Sequence, residues 1–528
     1  MKNNNNFSIT DLFILLILIT SFKLLFYFTG FILEDSFIVF RSAFNLAEYG
    51  KFSYNLDELN SATTSKIFGL ICAILKVIFK EYAILSIIAF NSIISFFSSL
   101  FIFLSIKNLI GKNINLSKEV IYFLTVLIFL NPSISIIGIV GLEFSILVFF
   151  MSLVFLAISK NSKILLIFSA FIPLIRIELV GFILIVSFSY LYFLKFKQFF
   201  IVILSGFIGV LLNGYLNLVY DGLFFPGPAV SKWNTLGDTS TFSLNRILED
   251  LDYWLFASRS FFLGVYSKFI PNSVYFFTAI TILLLATYNF KFLLFKRFEE
   301  IDLKYKIYLI SISASVIFLP LSYIIGGHIW DWYLYPYSFF SYTLLTISLI
   351  NFKNFHRFKI PIMGLLVLIT FLQFAVLKNI GFQENSYRSV IGKDIFRISD
   401  NPDIDTLFLE PAGYIPYYAK IKTYDTVGLS SPEILKFRKQ NNNKRWWLDF
   451  IETKRPTFVL DRSNIYNGHS HDGEYGLTVK ETQWFKDNYK LVKKYNYQEY
   501  VKRYSGSLEG FYKHGNHAGF FLYKKIMK

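Results

Sequence analysis

Phe31-Ile32-Leu33-Glu34-Asp35-Ser36-Phe37-Ile38-Val39-Phe40-Arg41 sets two adjacent carboxylates directly after a long apolar run, Ile9 to Gly30. Neighbouring carboxylates resist each other's ionisation and burial resists both, so the pair needs compensating partners unless it is a solvated helix end. The preceding run is too long for a signal-peptide core. Its leader, Met1 to Ser8, carries one Lys, and no small-x-small cleavage pattern follows, so it reads as an uncleaved membrane anchor.

The rest of the chain agrees with a membrane setting. Of 528 residues, 54% are hydrophobic and 20% aromatic, with 63 Phe, and the mean hydropathy is +0.48. This is too apolar for a soluble protein of such length and predicts a polytopic membrane protein. A formal charge of +16 comes without a basic stripe, RNA-binding signature or zinc-finger spacing, so no nucleic-acid partner is expected. The charge reads as cytoplasmic loops and affinity for anionic membrane lipid. The single cysteine, Cys72, excludes an internal disulfide.

Outward from the carboxylate pair, Ile67 to Phe79 is interrupted by Lys76 and rises only about 20 Å as a helix, short of the ~30 Å hydrocarbon core. It reads as a helix lying in the interface. Further spans are expected at Ile84–Ile106, Val120–Ile139, Phe144–Ser159, Ile164–Ile175, Leu179–Leu194, Phe199–Val219, Ser273–Phe290, Tyr305–Ile325, Tyr333–Asn351 and Pro361–Leu377. With the amino terminus inside, this makes about eleven spans, and Lys and Arg then gather in the inside loops. Ile164–Ile175 and Leu179–Leu194 are short, so one reads as broken or re-entrant. The expected organisation is a transmembrane domain over 1–378, with a first outside loop at 31–80 and a second at 220–270, then an outside α/β domain over 379–528. In the latter, Thr406–Leu409, Thr457–Leu460 and Phe520–Tyr523 look like strands and Glu433–Arg438 like a helix.

That topology, set by loop lysines and apolar run lengths alone, assigns the unusual ionisable residues to one side. They are Glu34, Asp35 and Lys66; Glu143; Arg176 and Glu178; Lys232; and His328 and Asp331. Charges at membrane depth usually line an aqueous cavity or site. No Ser-His-Asp spacing, P-loop or zinc-type His-x-x-x-His helix is present. Carboxylates that could take a proton from a hydroxyl remain, with Arg and Lys that could neutralise a phosphate, a set that suits a lipid-linked phosphate donor. Arg176 could instead pair with Glu178 or Glu143. His328 reads equally as a hydrogen-bonding group or an interfacial histidine. His469, His471, His514 and His517 sit in a polar tail and read as solvated, and no metal site or cofactor is expected.

Glu34-Asp35-Ser36-Phe37-Ile38, Arg41, Asn45-Leu46-Ala47-Glu48, Gly50-Lys51-Phe52, Tyr54-Asn55 and Thr63-Thr64-Ser65 together resemble the first extracytoplasmic loop of bacterial GT-C glycosyltransferases, nearest to the terminal arabinofuranosyltransferase-like group. Gly141-Leu142-Glu143, Arg176-Ile177-Glu178, Tyr220-Asp221-Gly222 with Pro226 and Lys232, Gly326-Gly327 with Asp331, and Tyr335-Pro336 continue the resemblance in order. So do Ala412-Gly413-Tyr414 and Asp425-Thr426-Val427-Gly428. It implies transfer of a sugar, with inversion, from a polyprenyl-phosphate donor to a cell-envelope glycan or lipid-linked acceptor outside a bacterial inner (plasma) membrane. By position the general base would be Glu34, where the family has Asp, or else Asp35. The phosphate would meet Arg176, Lys232 and Lys66, where the family usually has Pro in place of Lys66. Glu143, Glu178, His328, Asp331 and Tyr335 would bind substrate. A transporter or flippase of lipid-linked glycans and a non-catalytic scaffold for envelope assembly are the rival readings; the transporter is disfavoured by the lack of internal inverted symmetry.

Overall fold

The computed structural model describes residues 17, 25–110, 123, 127–129, 131–235, 272–294, 302–326, 331–350, 359–441, 445–473, 475–512 and 519–526. Most of the anchor expected at Ile9–Gly30, the outer part of the loop expected at 220–270, and His328, His514 and His517 lie outside the described residues. The protein is mostly helical, with an α/β sheet region at its carboxyl end. By internal contacts the chain divides into two units, one of residues 1–28, 84–215 and 239–377, the other of 29–83, 216–238 and 378–528.

Among the described residues three helical stretches are long and apolar enough to cross a membrane: Lys66–Leu109, Phe196–Asp221 and Ile360–Ile398. The first is interrupted. Its opening helix, Lys66–Phe79, is capped by the Ser65 hydroxyl, which accepts from the Phe68 amide. Lys80 then adopts φ 49° and ψ −109°, and a new helix runs over Ala83–Ile110. Gly69 lets the Phe52 ring pack close, since a Cβ there would lie 2.3 Å from the ring unless it shifted.

In the first unit, helix Phe144–Lys160 is buried along nearly its whole length. The stretch after it is broken at Arg176, between the two short apolar runs. Helix Phe171–Ile175 stops at Arg176, whose backbone is extended, and a 3-10 turn at Ile177–Leu179 leads into helix Val180–Tyr192. Helices Asn272–Leu294, Leu303–Gly326 and Tyr335–Ile350 follow in the same unit.

The second unit is built on strands β1 (Thr406–Leu409), β2 (Lys422–Asp425), β3 (Phe458–Asp461), β4 (His469–Ser470), β5 (Tyr475–Gly476), β6 (Tyr489–Tyr495) and β7 (Phe520–Lys525). The main sheet has the order β2-β1-β3-β7-β6. β1 is parallel to β2 and β3, while β7 is antiparallel to β3 and β6. Alternate residues of a strand point to opposite faces. Accordingly Leu407, Leu409, Phe458, Leu460 and Leu522 pack with Ile391, Ile395 and Ile415 on one face. Phe408, Val459 and Tyr523 pack with Trp447, Phe450 and Phe485 on the other.

Candidate functional site

Within the second unit, helix Glu34–Tyr49 begins with both carboxylates in its first turn and ends on Gly50 in the left-handed region. Negative charge is favourable at a helix amino terminus, where amides lack intrahelical partners. Glu34 also has specific partners. Its Oε1 accepts from the amides of Gly413 and Tyr414, each at 2.9 Å, and its Oε2 from Arg388 Nη1 at 2.5 Å. Gly413 permits this approach, because a Cβ there would lie 2.2 Å from the Glu34 carbonyl oxygen. Arg388 also lies 3.8 Å from Glu384, and Glu384 sits in a π-helical turn, Phe382–Tyr387, a distortion frequent at functional positions. Asp35, beside this group on the same helix turn, is partly exposed.

The same segment is tied to the sheet region by further bonds. Arg41 donates to the carbonyls of Tyr54 (2.9 Å), Pro416 (2.9 Å) and Ile421 (2.8 Å), and its guanidinium lies 4.4 Å from the Tyr54 ring centroid. Burial pushes the pKa of Arg41 down. Asn55 bonds both backbone groups of Thr423, accepting from its amide at 3.0 Å and donating to its carbonyl at 2.9 Å. Tyr54 donates to the Ala412 carbonyl at 2.6 Å, and Tyr414 to that of Ile32 at 2.8 Å. Asp425, at the end of β2, accepts from the amides of Val427 and Ser430, and burial raises its pKa to about 6.

Lys66 is 1% exposed and paired with Asp221 at 2.6 Å, while also donating to the Thr63 carbonyl at 2.6 Å. Asp221 further accepts from the Ser61 amide at 2.8 Å and the Gly227 amide at 3.3 Å. The pair thus fastens residues 60–66 to 221–227, and a phosphate would reach Lys66 only by displacing Asp221. Lys232 lies nearby in sequence, in helix Gly227–Thr235.

The first unit contains a separate cluster. Arg176 bonds Glu178 Oε1 at 2.6 Å through Nε and Glu143 Oε1 at 2.9 Å through Nη1. Its guanidinium faces the rings of Tyr333 (4.7 Å) and Phe144 (5.1 Å). Arg176 and Glu143 are buried, whereas Glu178 is 28% exposed. Tyr335 is buried edge-on to Phe144, 5.4 Å between centroids, and Asp331 opens the 3-10 turn Asp331–Leu334. The backbone break at Arg176 is what turns this side chain inward between two carboxylates. A phosphate at Arg176 would compete with both.

The structure therefore gathers Glu34, Asp35, Glu384 and Arg388 in one unit, and Glu143, Arg176, Glu178 and Tyr335 in the other. Glu384 and Arg388 are additions that sequence reading did not supply. Their one signal was position, as charges directly following the last apolar run. Among the described residues no three His, Cys, Asp or Glu side chains are grouped to hold a metal ion.

A family model described as a domain of unknown function (DUF8728) matches residues 379–513. No curated protein and no solved structure matches the chain.

Proposed function

We propose that the protein is an integral-membrane glycosyltransferase of the GT-C type, with about eleven spans, its catalytic carboxylate and carboxyl-terminal region outside a bacterial plasma membrane. The observation that carries the proposal is that Glu34, one acid of the pair at which the resemblance places the base, is held by specific partners. Glu34 is occupied by two amides and Arg388, so it serves as the anchor. Asp35, one residue on in the same first helical turn, is the carboxylate we assign as general base, since the family resemblance puts that role at this pair.

In the proposed reaction Asp35 takes the proton of an acceptor hydroxyl. The acceptor oxygen forms a bond to the anomeric carbon as the bond from that carbon to the donor phosphate breaks, inverting the centre. Polyprenyl phosphate leaves with the bonding electron pair. Lys232, in the same unit as Asp35, is the cation we assign to that phosphate in place of Lys66, whose ammonium is spent on Asp221. The Glu143-Arg176-Glu178 cluster is assigned to positioning within its own unit.

The donor is found first, by mass spectrometry of surface glycans from cells with and without the gene. Purified full-length protein is then assayed with the polyprenyl-phosphate sugar so identified. Loss of a positioned general base costs about 10²–10⁴-fold in rate, so Asp35→Asn should lower turnover by that factor with little change in thermal stability. Full turnover in Asp35→Asn would remove the assignment, and unchanged glycans in the deletion would remove sugar transfer itself.

A further inference from the structure

Helices Val180–Tyr192 and Leu303–Gly326 lie in the first unit and border a groove of about 480 Å³. On the second helix its lining is Lys306, Ile310, Ala314 and Phe318, and on the first it includes Leu184, Phe188 and Tyr192. Residues four apart share one helix face, so each set forms a stripe along its helix. Ala314 opens the groove, being far smaller than the Ile310 and Phe318 on either side of it. Ser189 also lines it, but its hydroxyl donates to the Ile185 carbonyl at 2.7 Å, so the surface stays apolar.

The mouth is formed by large rings. Phe188 is 58% exposed, Tyr192 67% and Phe318 51%, a continuous apolar surface that suits lipid rather than water. From Lys306 to Phe318 the helix rises about 18 Å, close to half of the ~30 Å hydrocarbon core, which is the depth of one leaflet. Lys306 is the one charged group among the described lining residues and stands at one end of its stripe. Lys304 is two residues before it, and Lys195 and Lys197 follow the other helix. Lysines flanking spans in this way mark the cytoplasmic side.

We propose that this groove holds one acyl chain of an anionic glycerophospholipid of the cytoplasmic leaflet, its phosphate at Lys306. Charge complementarity at one end and a leaflet-deep apolar trough fix the class of ligand. The inference is independent of the sugar-transfer reading.

The full-length protein is reconstituted in nanodiscs of equimolar phosphatidylglycerol and phosphatidylcholine, released into detergent, and examined by native mass spectrometry for retained lipid. Wild type should retain phosphatidylglycerol in excess. Lys306→Gln should cut that excess about fivefold, the effect of one basic side chain beside an anionic surface, and Lys306→Arg should keep it. Ala314→Phe, which fills the trough, should lose both lipids. Size-exclusion and melting profiles establish that each variant is folded, and if Ala314→Phe is not, the two Lys306 variants decide. Equal retention of the two lipids by wild type, or an undiminished excess in folded Lys306→Gln, overturns the proposal.

Discussion

Deleting the Arg388 guanidinium tests whether Glu34 is held as an ion-paired anchor. Arg388→Met keeps an apolar stem of similar reach but leaves Glu34 with two amide donors and no cation. The two side chains are 7% and 13% exposed, so solvent screens the pair little. Breaking a buried pair from one side costs about 3–5 kcal/mol. The surviving amide bonds argue for the lower end, about 3 kcal/mol, which at about 1.36 kcal/mol per decade is roughly a hundredfold. Glu34→Gln added to Arg388→Met removes the stranded charge and keeps an oxygen for the amides, so the double variant should regain about 2 kcal/mol. Cys72 provides the readout, being the chain's single cysteine, fully buried and in the same unit as the pair. Maleimide labelling of Cys72 in detergent reports opening of that unit, with Arg388→Met labelled roughly a hundredfold faster than wild type and the double variant in between. Wild-type labelling of Arg388→Met, or a double variant labelled as fast as the single, refutes the anchor.

Gly413→Ala should destabilise the same unit by about 1–3 kcal/mol through overpacking against Glu34, read by the same labelling. Asp425 gives a pH signature. Burial raises its folded pKa to about 6 from the ordinary 3.8, so the folded state binds more protons in between and stability should fall as pH rises from about 4 to about 6. The contribution is of order 2–3 kcal/mol, and melting curves of Asp425→Asn should lack that part of the pH dependence. Arg176→Lys keeps the charge but cannot bridge Glu143 and Glu178 while facing two rings. It should lower stability by about 1–2 kcal/mol, visible as a lower melting temperature of the full chain.

Much of the helical architecture was legible because apolar run length and helix length are the same quantity in a membrane-type sequence. The run expected at Phe144–Ser159 is helix Phe144–Lys160, and that expected at Tyr305–Ile325 is helix Leu303–Gly326. The buried strands were legible for a related reason: Thr406–Leu409 is β1 as expected, and it is apolar where it enters the core. β2 and β6 were missed. β2 reads Lys-Thr-Tyr-Asp, and its Lys422 reaches out to Asp57 at 2.5 Å. β6 is an outer strand carrying lysines along an exposed stretch, which is how edge strands avoid pairing with other chains. Both lack the apolar alternation that identifies a strand.

The carboxylate pair was legible as something needing a partner, whereas the partner was not. Arg388 lies 354 residues from Glu34, and only the sheet region that positions Gly413 and Tyr414 brings the three donors together. Burial also sorted the cations differently from sequence position. Lys66 and Arg176 were singled out because each is a charge in an apolar context, and each has been neutralised by a carboxylate at 2.6 Å. Desolvation makes this the expected outcome, since an unpaired buried cation costs several kcal/mol. Glu34 is likewise held, by two amides and Arg388, so the proposed proton transfer is assigned to its neighbour Asp35. If Asp35→Asn unfolded the unit while Glu34→Gln only slowed turnover, the anchor and the base would have to be exchanged.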